Sequence, residues 1–452
     1  MTPPTPVTAP VSPSVTASVT ASVTASPDGS PLMLPVRQDA APAREVARPQ
    51  PMLRHALLLG TLTALGAFGI DTYLPAFAEI AQSLQVNEGA VQLSLVSYFV
   101  ALAVGQSIYG PISDRHGRRG PLIAGFSLFV LASIGCAMAT SIGGLIALRF
   151  VQGIGACAGM VLTRAIVRDL RSGEEAARLF ALMLLVLGVS PLLAPMVGSL
   201  LVTWLPWQSV FWFMAAFGSG CLVLILTLLE ETNPPARRSG GLAAAFRSYG
   251  TLITDRHFVG TVLIGGFSQA ALFAYLAGSP FVYITLNRVA PTTYSALFAI
   301  NAVGLIGMAQ LNVWLMRRLG ASRLVFIGAL TQSLFAAALL IVTLLDLDRV
   351  PVIAVLLFFT VSCQGVLGPT TAMLSLERYA ASAGAASALM GTLQFACGAI
   401  SSTLVSVFFN GTAVPLAAVI AGCAFAGLIL ACTVGRTDAP ADHARAAAVP
   451  AS

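Results

Sequence analysis

The sequence predicts an all-α polytopic membrane protein: twelve transmembrane helices in two pseudo-symmetric six-helix bundles. Three observations carry that expectation. Of 452 residues, 57% are hydrophobic and only 9% charged, whereas soluble domains carry about 25% charged residues. The apolar residues fall into twelve runs near the roughly 20 residues that a spanning helix needs. All 24 basic residues are Arg, and they gather in alternate links between the runs, the asymmetry of the positive-inside rule.

Residues 1–52 come first and are rich in Pro, Thr, Ser, Ala and Val, with the run "SVTASVTASVTAS" at 14–26. Such a segment cannot bury enough apolar surface to fold alone. It also lacks the charged start and continuous apolar core of a signal peptide, so a disordered cytoplasmic tail is expected. The first span, 54–82, carries the uncharged "ALLLGTLTALGAFGI" (56–70) and then Asp71, four residues before Pro75. The second, 90–111, ends in Gly110 and Pro111, which permit a close, bent exit. The third and fourth cover 120–140 and 142–168, the fourth holding Arg149. The fifth, 177–203, contains "LGVSPLLAPMVGSLL" (187–201). Its Pro191 and Pro195 each remove a backbone hydrogen bond, while Gly188 and Gly198 allow close packing, so a bend is expected. The sixth spans 207–229.

A segment with Pro, Gly and mixed charge, "EETNPPARRSGGLAAAFRSYGTLITDRH" (230–257), divides six spans from six. It sets an N-terminal bundle over 53–230, a central cytoplasmic loop over 231–256 and a C-terminal bundle over 257–434, with a tail over 435–452. Spans seven to twelve fall at 257–286, 292–316, 322–345, 351–375, 382–409 and 413–434. With both termini cytoplasmic, 21 Arg lie in or beside cytoplasmic segments, Arg288 and Arg349 lie outside, and Arg149 lies within a span. The net charge of +6 then reports topology rather than a nucleic-acid surface. The seven Cys sit in apolar spans without CxxC spacing, which predicts small buried hydrophobes rather than metal ligands or disulfides.

The link "GPISDRHGRRG" (110–120) supplies Gly110, Asp114, Arg115, Gly117, Arg118 and Arg119. A merely topogenic basic loop does not explain its Gly–Pro–Asp spacing. A latch between two arrangements of the halves does, with Asp114 accepting from Arg164 or Arg168, one turn apart on span four, and from the start of span eleven near 381–385. The corresponding link after span eight, "WLMRRLGASR", keeps an Arg pair and a Gly but lacks the Asp.

Asp71 is the only acidic side chain well inside an expected span, and Arg149 the only deeply embedded basic one. Embedding a charge costs at least about 2.5–3.5 kcal/mol on insertion scales, so each is a functional candidate. A carboxylate in apolar surroundings can bind and release a proton; Arg stays charged and would bias that exchange. Structural alternatives stay open: a helix-packing hydrogen bond for Asp71, and bracing through backbone carbonyls for Arg149. The four His lie near span ends or in tails, so a histidine relay is excluded. Mid-span polar and aromatic residues are candidate substrate contacts: Tyr98, Gln152, Phe273, Tyr275, Asn301 and Gln394, with Gln269, Gln364 and Phe395 beside them.

The loop pattern GxxxDRxGRR resembles the signature of the major facilitator superfamily, and "LRFVQGIGACAG" (148–159) resembles its fourth-helix motif. "GIDTYLPAFAEIA" (69–81), "WQSVFW" (207–212), "EETNPPARR" (230–238) and "GSPFVYITLNRVAP" (278–291) look like the bicyclomycin-resistance (Bcr/CflA) branch of bacterial drug:proton antiporters. The resemblance runs over about 54–434. It departs in span five, where Ser190–Pro191 and Ala194–Pro195 stand in place of the usual Gly–Pro pair. The resemblance implies proton-driven multidrug efflux by alternating access at the inner membrane. It implies no cofactor beyond the proton gradient, no nucleic-acid partner, contact with drugs and lipids, and a monomer. A metabolite transporter of the same fold is the alternative. An enzyme is not expected: no buried His could serve a serine nucleophile, no second embedded carboxylate faces Asp71, and a chain without Lys has no phosphate-binding GxxxxGK[ST] loop.

Overall fold

The structure is a computed structural model that describes residues 52–235 and 242–446. The expectations for the first 51 residues, for Arg237 and Arg238 and for residues 447–452 lie outside the described residues.

Thirteen helices order the described chain: α1 (Met52–Ser83), α2 (Glu88–His116), α3 (Arg119–Ala137), α4 (Ile142–Leu170), α5 (Gly173–Trp204), α6 (Gln208–Leu228), α7 (Leu242–Thr254), α8 (Arg256–Leu286), α9 (Pro291–Leu319), α10 (Ala321–Leu344), α11 (Val350–Tyr379), α12 (Ala383–Val407) and α13 (Val414–Ala446). All but α7 are long and apolar enough to cross a membrane; in α13 that part is Val414–Thr433. The described residues contain no strand. The protein is a multi-pass membrane protein of all-helical fold.

The two halves repeat one packing plan. In the first, α1 packs on α5, α2 on α4 and α3 on α6; in the second, α8 packs on α12, α9 on α11 and α10 on α13. The halves meet along two seams, α2 against α12 and α5 against α9. The repeat extends to backbone detail. Gly117 ends α2 at φ +92°, and Gly320 ends α9 at φ +78°. Both conformations are open to Gly without steric cost, and each follows an arginine-bearing last turn.

Prolines set the irregularities. Pro75 has no N–H to offer the Asp71 carbonyl, so the regular part of α1 ends at Asp71 and restarts through a 3₁₀ turn, Leu74–Ala76. Pro280 precedes a π-helical turn, Phe281–Leu286, that closes α8. Pro111 does not end α2 as the sequence suggests. The helix continues to His116, because the carbonyl that Pro111 leaves free, that of Ser107, accepts a hydrogen bond from Tyr249 Oη at 3.1 Å.

Tyr249 belongs to α7, a second departure from expectation: the segment read as a loop contains a 13-residue helix. Its Tyr249 and Leu252 are buried against Phe258 of α8 and Ala386, Leu389 and Met390 of α12. α13 also runs on to Ala446, through most of the segment read as a tail. Cys136, Cys157, Cys221 and Cys363 are buried as expected, whereas Cys432 is exposed.

Candidate functional site

Asp71 is buried at the end of the regular part of α1. Arg149, on α4, is fully buried. Among the described residues the two form no ion pair. Arg149 instead lies between aromatic faces, its Cζ 4.4 Å from the Tyr98 ring centre, 4.5 Å from Tyr73 and 5.9 Å from Phe211. Its Nη1 donates to Gln152 Oε1 at 2.5 Å, and Gln152 Nε2 donates to Ser133 Oγ at 2.7 Å. Cation–π contact offsets part of the desolvation that such burial demands. Arg149 Nε and Nη2 have no hydrogen-bond partner among the described residues.

That geometry involves two candidate residues. Tyr98 and Gln152, read from the sequence as substrate contacts, are packed inside the N-terminal bundle around Arg149; Tyr98 Oη donates to the Gly66 carbonyl at 3.1 Å. Asp71 faces elsewhere, within electrostatic reach of Tyr98 and of Tyr275 and Tyr294 in the second half. Tyr275 is buried on α8 and accepts from Asn301 Nδ2 of α9 at 2.9 Å. Asp71 therefore borders the seam between the halves, and Arg149 does not.

Phe273 lies on another face of α8. Its ring stacks on Phe99 of α2 at 4.3 Å and meets Phe395 of α12 at 5.4 Å. Gln394 packs beside Gly265, and Gln364 Nε2 donates to Gln269 Oε1 at 2.5 Å. The Phe99–Phe273 stack closes the α2–α8 contact midway along the seam.

The two ends of the seam differ. Away from the arginine-rich face, Ser406 Oγ donates to the Gly89 carbonyl at 2.6 Å and Thr285 Oγ1 donates to Glu88 Oε1. Nearby, Ser295 Oγ donates to the Pro195 carbonyl at 2.8 Å. Toward the arginine-rich face the halves part around a cavity of about 640 Å³ that begins at Gln106 and reaches Arg168. Glu88 is a buried carboxyl that the sequence reading left outside the second span. Its signal was present, since Asn87 caps the helix start and sets Glu88 in the first turn.

Asp114 lines that cavity with Gly110, Arg164 and Arg168, but it pairs with neither arginine. Its partner is Arg118, at 2.6 Å, which also donates through Nε to Asp169 at 2.9 Å. Burial alone would weaken the hold of Arg118 on its proton; the bonds to Asp169 and Asp114 outweigh it, leaving the guanidinium above its ordinary range. The link is further tied from behind. Glu231 accepts from the Arg118 and Arg119 backbone N–H groups at 2.8 and 3.1 Å, and Asn233 Nδ2 donates to the Asp114 carbonyl at 3.2 Å. Arg115 is exposed. In this conformation the latch is a clamp within the first half.

Of the residues read as a helix-five bend, Gly198 leaves no room for a Cβ beside the Thr72 carbonyl, Pro195 supplies the carbonyl at the α5–α9 seam, and Gly188 is loosely packed. The helix is continuous past Pro191 from Gly173 to Trp204.

Two six-helix halves meeting around a one-sided cavity are the architecture of a membrane transporter. The chain matches the Major Facilitator Superfamily over residues 57–402 and belongs to it, a family of transporters rather than enzymes. It is 38% identical over 371 residues to an uncharacterized MFS-type transporter, YdgK, of Bacillus subtilis (strain 168), covering 80% of this chain and 91% of that one. It is 32% identical over 368 residues to a bicyclomycin resistance protein homolog of Haemophilus influenzae, covering 81% and 92%. In fold it is similar to the crystal structure of a D-xylose-proton symporter, with a TM-score of 0.66 at 20% identity over 85% of this chain and 97% of that one.

Proposed function

We propose that the protein exports small antimicrobial molecules across the bacterial inner membrane in exchange for protons. The observation that carries the proposal is Asp71, a buried carboxyl with no cationic partner among the described residues, set where the first half borders the second. A carboxyl placed so can take up a proton in one arrangement of the halves and lose it in the other. The similarity to a bicyclomycin resistance protein homolog supports a drug substrate. The positive-inside rule puts the arginine-rich face in the cytoplasm, so the cavity faces inward, the state that receives a molecule for export. Drug binding and proton release are then linked reciprocally, each favouring the other.

The test is growth inhibition of a pump-deficient bacterium expressing the chain, across bicyclomycin, phenicols, tetracyclines and sulfonamides, with Asp71→Asn run in parallel at matched membrane level. Protection that disappears in Asp71→Asn is the expected result. Protection that survives removes Asp71 from coupling. No protection from a well-expressed chain points to a metabolite transporter of the same fold.

A further inference from the structure

The cavity at the arginine-rich face contains more positive charge than its carboxylates can answer. Five charged side chains line it: Arg118, Arg164, Arg168, Asp114 and Asp169. Both carboxylates are already engaged by Arg118. Arg164 and Arg168 remain, and neither makes a hydrogen bond or ion pair with any described residue. They stand one turn apart on α4, so their side chains share a face, and like charges at that spacing repel. Deprotonation offers no relief, because Arg remains charged at any physiological pH.

The wall across from them is uncharged. It is formed by Ser382 and the first two turns of α12, through Ala385, Ser387 and Ala388, together with Ser248 and Tyr249 of α7. Ser382 gives no side-chain cap to α12, so no side chain competes there with the favourable field of a helix start for negative charge. Apolar surface from Val161 and Ala165 adjoins the arginines. The cavity, about 640 Å³, is of the size that takes a small molecule.

We propose that this cavity is a binding site for an anionic amphiphile, a phosphate or carboxylate head carried on an apolar body, held by Arg164 and Arg168. The head lies between the two guanidinium groups and the first turn of α12, and the body lies along Val161 and Ala165. Two donors share this chemistry, an acidic membrane lipid and a free anionic solute. The site is distinct from Asp71, and it is tested by binding, without transport.

The experiment uses the full chain, purified in a neutral detergent and stripped of lipid, and reads its apparent unfolding temperature. The probes are short-chain phosphatidylglycerol, short-chain phosphatidylcholine and inorganic phosphate. Phosphatidylglycerol is expected to raise the temperature saturably and phosphatidylcholine not to. In R164Q/R168Q the midpoint concentration should rise at least tenfold, whereas R323Q, which alters an exposed arginine on the same face of the second half, should match wild type. The unliganded R164Q/R168Q chain should be no less stable than wild type, since it loses only a repulsion. R164K/R168K, which keeps both charges, should retain most of the response. A response to inorganic phosphate as well assigns the site to free anions; a response to phosphatidylglycerol alone assigns it to lipid. Equal responses in wild type and R164Q/R168Q, or no response to either anion, overturn the proposal.

Discussion

The Arg149 guanidinium carbon stands 4.4 Å above the Tyr98 ring. That ring face and the Tyr73 face at 4.5 Å, rather than the carboxylate of Asp71, therefore answer a fully buried charge. Tyr98→Phe keeps the face and loses only the bond to the Gly66 carbonyl, so it should cost about 1 kcal/mol of stability and leave transport near wild type. Tyr98→Leu removes the face and should cost about 2 kcal/mol or more. Apparent unfolding temperatures of the two variants, with uptake or efflux measured alongside, check the contrast. Equal losses would show that the ring face is not what holds Arg149.

The Tyr249–Ser107 bond exists because Pro111 leaves that carbonyl free. Tyr249→Phe should destabilise the protein by about 1–2 kcal/mol. Pro111→Ala restores an N–H that can reach the same carbonyl, so Tyr249→Phe should cost less than half as much in that background. A double-mutant cycle on thermal unfolding measures the difference. A coupling near zero would mean that the hydroxyl does not act through the Ser107 carbonyl.

Gly198 and Gly188 lie ten residues apart on one helix and should respond oppositely. A Cβ at 198 would collide with the Thr72 carbonyl, one residue beyond Asp71, whereas the nearest atom to a Cβ at 188 is Ile306 Cδ1 at 3.9 Å. Gly198→Ala should cost about 1–3 kcal/mol and impair transport by displacing the end of the first span. Gly188→Ala should be neutral or slightly stabilising, since Ala favours helix. Paired measurements of stability and efflux decide it.

Asp255, at the arginine-rich face, caps α8 and accepts from Tyr379 Oη. The bond from Tyr379, then those from the Phe258 and His257 backbone N–H groups, hold its carboxyl below the usual carboxylate range. A depressed value in the folded state means stability that is complete above the unfolded Asp value of about 3.9 and lost as pH falls below it. The gap in unfolding temperature between wild type and Asp255→Asn should therefore be constant from pH 7 to pH 5 and shrink toward pH 3. A gap independent of pH would show that the carboxylate charge is not its source.

The spans were legible because bilayer thickness imposes a length and an apolar composition on each helix, and one sequence states both. The clustering of arginines fixed the alternation of the links in the same way. Asp71 and Arg149 stood out as charges without neighbours in sequence. What they touch was not legible, because it depends on which helix faces are brought together. That is why Tyr98 and Gln152 read as cavity residues and prove to belong to the packing around Arg149. The helix inside the central link was missed for a related reason. Its stability rests on Tyr249 and Leu252 meeting α8 and α12, and a 13-residue amphipathic stretch is marginal without such a partner. Asp114 pairs within its own turn and link rather than across α4, a choice set by the position of Arg118 at i+4.

Glu231 and Asn233 lie just past the sixth span, yet they hold the loop between the second and third. The loop is synthesised more than a hundred residues before its tether. Until the ribosome has passed Asn233, the backbone N–H groups of Arg118 and Arg119 lack their acceptor and the Asp114 carbonyl lacks its donor. The N-terminal bundle thus carries a completion signal at its own end. Its arginine-rich face is finished by the residues that precede the second half, so the first bundle can set before its partner is made.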